Sequence, residues 1–123
     1  MTTQDYYNLP PDENGWRMLP NGNKFKLGLY CIIGNYATIG NDVEIGDGTI
    51  IGKGAIIGNG AIIGNGAIIG KDAYIGNDVE IGDGANIGNN VVIGNYAIIS
   101  NDATIDDCAT IDDDVSVSNN DKQ

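Results

Sequence analysis

The sequence predicts an all-β solenoid assembled from short strands and tight turns, and three observations carry that expectation. From Leu27 to Val117 an aliphatic residue returns at every sixth position without a break. The residue after it is glycine from Gly28 to Gly94, and the one after that is almost always Asn or Asp. A period of six fits neither an amphipathic helix, at about 3.6 residues, nor the two-residue alternation of a lone strand, but it fits a strand followed by a corner. Glycine is abundant while hydrophobic content is ordinary and dominated by Ile, so the glycine belongs to the pattern and not to a disordered linker.

Residues 1–26 carry no six-residue signal. They hold Tyr6, Tyr7, Trp16, Arg17, Met18, Lys24 and Phe25, a concentration of aromatic and basic groups in a chain short of both. Pro10-Pro11 and Asn21-Gly22 indicate turns and not a helix. A solenoid must cover the open end of its core, which makes Trp16, Met18 and Leu19 the candidate cap. The alternative gives Arg17, Trp16 and Lys24 a phosphorylated ligand, with stacking on the indole and charged donors to the anion.

Residues 27–118 form the repeat domain. In Ala61-Ile62-Ile63-Gly64-Asn65-Gly66, Ala61 and Ile63 share the inward side of a strand and Ile62 points out. Gly64-Asn65-Gly66 turns the corner, since glycine accepts backbone angles that a Cβ forbids and Asn or Asp is the next most tolerant of the left-handed region. Toward the end the glycine gives way to Ser100, Asp106, Asp112 and Ser118, and Asp107, Asp113 and Asp114 add further carboxylates. Calcium takes oxygen ligands of this kind, but the spacing matches no EF-hand loop, so a solvated acidic end is expected and no metal site. Residues 119–123 read as a polar tail.

These residues resemble the hexapeptide-repeat superfamily, the left-handed parallel β-helices, whose motif of aliphatic residue, Gly, two variable residues, a small residue and one variable residue covers Leu27 to Val117. The resemblance implies three sides per coil and about five triangular coils, with residues 18 apart stacked at about 4.8 Å, the spacing of neighbouring strands. Asn41, Asn59, Asn77, Asn95 and Asp113 then share one corner as a structural ladder. The stretch Ile39 to Gly48 recurs as Ile75 to Gly84, two coils further on.

The outward position before each Ile should be polar in a monomer, yet two columns are largely apolar. One runs Ile32, Ile50, Ile68, Asn86, Thr104 and the other Thr38, Ile56, Tyr74, Val92, Thr110. The third, Lys26, Glu44, Ile62, Glu80, Ile98 and Ser116, is mixed, with Lys26 placed to pair with Glu44. Long exposed apolar patches mark interfaces. The family resemblance implies a homotrimer of helices side by side, with Ile32, Ile50, Ile68, Ile56, Tyr74 and Val92 at its interfaces.

Acyltransferases of this superfamily use a His as general base, and the related γ-type carbonic anhydrases bind their metal with three His. This chain contains no His and no loop excursion between Ile33 and Val117. Glu44, Glu80 or Asp78 are the substitute bases, and solvated carboxylates that keep the protein dissolved are the plainer reading. The resemblance also implies a C-terminal capping helix, which Ser118 to Gln123, short and polar, is not expected to form.

A formal net charge of −11 argues against direct nucleic-acid or anionic-membrane binding. The start Met1 to Asp5 is no signal peptide and no apolar run spans a bilayer, so a cytoplasmic protein with Cys31 and Cys108 as free thiols is expected. Lys53 and Lys71 break the acidic repeat at the same corner of adjacent coils, with Asp72 close enough in sequence to pair with them. Two solvated lysines are the plain reading. The functional one is an anion site between subunits, with Tyr74 lining the cleft and Tyr36 and Tyr96 covering corners. The sequence thus points to a non-catalytic homotrimeric binding or structural module without a cofactor, holding a small anionic or nucleotide-like ligand. The alternatives are an acyltransferase-like enzyme with an unconventional base and an acidic DNA mimic or other protein-partner inhibitor, presenting Asp42, Glu44, Asp47, Asp78, Glu80 and Asp83. Ice binding is disfavoured because Thr38, Thr104 and Thr110 form no regular ladder.

Overall fold

The computed structural model describes residues 1–119; the expected polar tail from residue 120 onward lies outside the described residues. The order of elements is α1 (Thr3–Asn8), β1 (Trp16–Met18), β2 (Lys24–Leu27), β3 (Ile32–Ile33), β4 (Thr38–Ile39) and β5 (Val43–Ile45), after which a two-residue strand recurs every six positions to Ser116–Val117. Strands pair in parallel with the strand 18 residues on, as Ile50 does with Ile68 and Ile57 with Ile75. Three sheets result, so the chain is a three-sided left-handed β-helix of about five coils. We call the sides the β2, β3 and β4 faces, after the first strand of each parallel stack.

Each strand presents one residue to solvent and one to the core. Ile63 and Ala61 are buried while Ile62 is exposed, and the alternation holds along all three faces. The interior is a column of Ile flanked by small residues, Ala55, Ala61, Ala67, Ala73 and their equivalents. A fully buried Ile contributes roughly 2 kcal/mol, which offsets the cost of ordering the short coils around it. Thr49 is the buried exception, and its hydroxyl is 2.9 Å from the Gly46 carbonyl and 3.0 Å from that of Gly64.

The corners divide their work differently from the sequence expectation. The left-handed backbone falls on the third residue after the Ile, as in Asp42 (φ 60°), Asp78 (φ 58°) and Gly60 (φ 74°). The glycine directly after the Ile has no such angle; it is needed because a Cβ at Gly52 would lie 2.6 Å from the backbone carbon of Gly70 in the next coil. Asn or Asp at the intervening position makes a ladder: Asn41 N–H donates to Asn59 Oδ1 (2.8 Å), Asn59 N–H to Asn77 Oδ1 (2.9 Å) and Asn77 N–H to Asn95 Oδ1 (2.8 Å). A second corner repeats it from Leu29 through Asp47, Asn65 and Asp83 to Asn101.

Glycine gives way to Ser100, Asp106 and Asp112 in the last coils, and Ser100 still carries the next coil, its N–H donating to the Val117 carbonyl at 2.9 Å. Asp107 and Asp113 are the last acceptors of their ladders among the described residues, taking the N–H groups of Asn89 and Asn95.

At the other end, the first coil's open edges are closed side by side: the turn expected at Asn21-Gly22 joins β1 to β2, and a helix that was not expected lies before Pro10-Pro11. Thr2 and Asp5 form a capping box around α1, which the periodicity argument does not detect in so short an element. Thr3 Oγ1 takes both polar groups of Ile33, and Tyr7 Oη donates to the Gly28 carbonyl while accepting from Cys31 N–H. β1 pairs antiparallel with β2, aligning Trp16 with Lys26, Arg17 with Phe25 and Met18 with Lys24. The core is capped by Tyr6, Phe25 and Leu19, with Tyr6 edge-on to Phe25 at 5.9 Å. Of the expected cap, Leu19 is buried and Trp16 half-buried under Lys26, whereas Met18, on the same side of β1 as Trp16, is 55% exposed. Burial pushes the phenols of Tyr6 and Tyr7 above their ordinary value.

Candidate functional site

The three corners are not equivalent. The one joining the β3 face to the β4 face carries Asn35, Lys53, Lys71, Asn89 and Asp107 in its ladder row. Lys71 N–H donates to Asn89 Oδ1 (2.8 Å) and Asn89 N–H to Asp107 Oδ1 (2.8 Å), as elsewhere. Below them the ladder is broken. An ammonium is a donor without an acceptor, so Lys53 offers nothing to Asn35 N–H and Lys71 nothing to Lys53 N–H, and neither backbone group has a hydrogen-bond partner among the described residues. The fold therefore gains no ladder bond from the two lysine side chains.

Around the break lies an open recess of about 400 Å³ lined by Tyr36, Lys53, Gly54, Lys71 and Asp72. Lys53 Nζ stands 5.7 Å from the centre of the Tyr36 ring. Asp72 lays its carboxylate over Gly54, where a Cβ would collide with Oδ1, and it forms an ion pair with neither ammonium. Tyr36, which sequence reasoning assigned to covering the turn, is the aromatic group of this recess. Tyr74 lies instead on the β4 face, paired with Ile56 and Val92, and does not line it.

The lysine edge separates the two apolar faces. Ile32, Ile50 and Ile68 stack on the β3 face, and Ile56, Tyr74 and Val92 on the β4 face, all between 39 and 55% exposed. Acidic groups gather on the opposite side of the prism. Glu44 and Glu80 flank Ile62 on the β2 face, with Asp42 and Asp78 at one of its edges and Asp47 and Asp83 at the other. Lys26 does not pair with Glu44: its ammonium sits 4.9 Å above the Trp16 ring.

Arg17, Trp16 and Lys24 do not converge. Alternation along β1 places Arg17 on the side opposite Trp16, where its guanidinium donates to the carbonyls of Tyr7 (2.8 Å) and Leu9 and lies 5.5 Å from the centre of the Tyr7 ring. Arg17 is thus committed to holding α1 on the hairpin, and its buried Nε lacks a partner among the described residues. Among the described residues no group of three or more Cys, Asp or Glu side chains is placed to hold a metal ion, and no helix is long and apolar enough to cross a membrane. Cys31 is buried and Cys108 exposed, both as free thiols.

A regular three-sided solenoid with glycine corners and Ile columns defines the class as a hexapeptide-repeat β-helix. The chain belongs to the bacterial transferase hexapeptide (six repeats) family, whose model matches residues 28–59 and 60–95. Among solved structures it is similar to PerB from Caulobacter crescentus in complex with CoA and GDP-perosamine, at a TM-score of 0.72 and 22% identity over 76% of this chain and 45% of that one. It is similar also to serine acetyltransferase isoform 3 from Entamoeba histolytica, at a TM-score of 0.60 and 29% identity over 67% of this chain and 32% of that one. A third likeness is to the acetyltransferase domain of PglB from Neisseria gonorrhoeae, at a TM-score of 0.60 and 17% identity over 73% of this chain and 55% of that one. The chain thus spans between about a third and just over half of these structures. No curated protein sequence matches it.

Proposed function

We propose that this chain is a non-catalytic, cytoplasmic β-helix module that assembles as a homotrimer and works by binding a small anionic ligand near the subunit clefts. The observation that carries the reading is the pair of apolar faces meeting at one edge. Columns of Ile, Val and Tyr left half-exposed over several coils are costly in water and suit a closed ring in which every subunit uses the same two surfaces. The non-catalytic half rests on chemistry. General-base work on a hydroxyl or amine at neutral pH favours imidazole, and the chain has no histidine.

A second reading, an acyltransferase-like enzyme with a carboxylate base, draws on the family and on neighbours of which two are acetyltransferases and one holds CoA. Its base would be Glu44, Glu80 or Asp78. Native mass spectrometry separates the assembly claim from its negation: a trimer that Ile50→Glu with Ile56→Glu reduces to monomer supports the module, and a wild-type monomer overturns it. Release of free CoA from acetyl-CoA by the wild type, lost in Glu44→Gln or Glu80→Gln, would favour the enzyme.

A further inference from the structure

We infer that the edge between the β3 and β4 faces is a binding site for a small oxyanion, a carboxylate or phosphate group. It is built from the ammonium groups of Lys53 and Lys71 and from the backbone N–H groups of Asn35 and Lys53 that the broken ladder leaves open. The inference deepens the binding reading above by naming the ligand chemistry, but all its donors come from one chain and it does not depend on the trimer.

At intact corners each such N–H already holds an oxygen, the Oδ1 of the residue one coil on, at 2.8 to 2.9 Å. The corner geometry therefore points a backbone donor at a place suited to an acceptor. Lys53 and Lys71 withdraw the built-in acceptor from two successive levels and substitute cations at the same edge. The like charges of two lysines at stacked positions of one recess repel each other, and no carboxylate among the described residues forms an ion pair with them, although Asp72 shares the recess. An oxyanion resolves both deficits at once, since it accepts from the open N–H groups and screens the pair, as backbone donors and cations together do in other anion sites. The Tyr36 phenol in the recess adds a further donor. The uncompensated carboxylate of Asp72 favours a small oxyanion bound at the edge over a highly charged one bound deep.

The test is two-dimensional amide NMR of the full chain, titrated with inorganic phosphate and separately with acetate, at ionic strength fixed by sodium chloride. The amides of Asn35 and Lys53 should shift together and saturably with at least one anion, and the tighter of the two identifies phosphate or carboxylate as the preferred source. The Lys71 amide, already bonded to Asn89, is the internal control and should move less. Lys53→Asn with Lys71→Asn restores both ladder acceptors and should weaken binding roughly tenfold or more, whereas Lys53→Arg with Lys71→Arg should retain it. The site is overturned if neither anion moves residues 35 and 53 more than residue 71, or if the asparagine variant binds as the wild type does. Native mass spectrometry on the same samples reads the assembly separately, so a monomer with saturable shifts would remove the trimer and keep the site.

Discussion

Replacing both Lys53 and Lys71 by asparagine should make the protein more stable, although it adds to a net charge of −11 already present. The amide oxygen introduced at position 53 would accept from Asn35 N–H, and the one at position 71 from the N–H of residue 53, reproducing the 2.8 Å bonds of the neighbouring corner. A net hydrogen bond contributes about 0.5–1.5 kcal/mol, and at an exposed corner where water competes the lower half of that range applies, so the pair contributes about 1–2 kcal/mol. Relief of the repulsion between lysines at stacked positions adds a screened contribution of at most about 1 kcal/mol, comparable to what is lost to the higher overall charge. For a domain of this length each kcal/mol moves Tm by about 3–5 °C, giving an expected rise of about 3–10 °C. Circular dichroism melts in chloride buffer, free of phosphate and carboxylates, measure it. The mirror experiment is Asn59→Lys, which removes the acceptor of Asn41 N–H and should lower Tm by about half as much. A double variant that melts at or below the wild type, with Asn59→Lys unchanged, would refute the claim that these corner bonds hold coils together.

Ile63→Asp puts a carboxylate into the Ile column and should unfold the middle coils at a cost of several kcal/mol, seen as loss of the β signal in circular dichroism; a native melt would contradict it. The phenols of Tyr6 and Tyr7 hold their protons more tightly in the folded chain than unfolded. Their contribution is thus intact below the ordinary phenol value near 10.0 and is lost as pH climbs through the raised folded value, so the N-terminal cap should loosen in that alkaline window. Trp16 fluorescence should report this before the sheet signal changes.

The solenoid was legible because one constraint, an apolar residue inside every side of the prism, repeats often enough to outweigh local exceptions. The outward columns followed from strand alternation alone. The cap was not legible in the same way: α1 is too short for helical periodicity, and its capping box of Thr2 and Asp5 shows only in the folded chain. Arg17 looked like a ligand group because its pairing with the carbonyls of Tyr7 and Leu9 depends on how the segment folds back, which no spacing encodes. Gly and Asn were both assigned to left-handed backbone. The close approach of successive coils and the ladder of acceptors became visible only with the coils stacked, and with them the meaning of Lys53 and Lys71 as missing rungs.

The strict correspondence of residues 18 apart makes the length of this molecule quantised. Excising residues 54–71 would remove one storey and return every later residue to its own face, with the Ile column, glycines and faces continuous across the junction. Excising only residues 58–63 would keep the core equally full, yet rotate everything downstream by one side of the prism. Glu80 would then stand directly above Ile56, in the middle of an apolar face. The core counts in sixes and the surface counts in eighteens, so a reading-frame-like phase protects the arrangement of the faces even where the interior is indifferent to it.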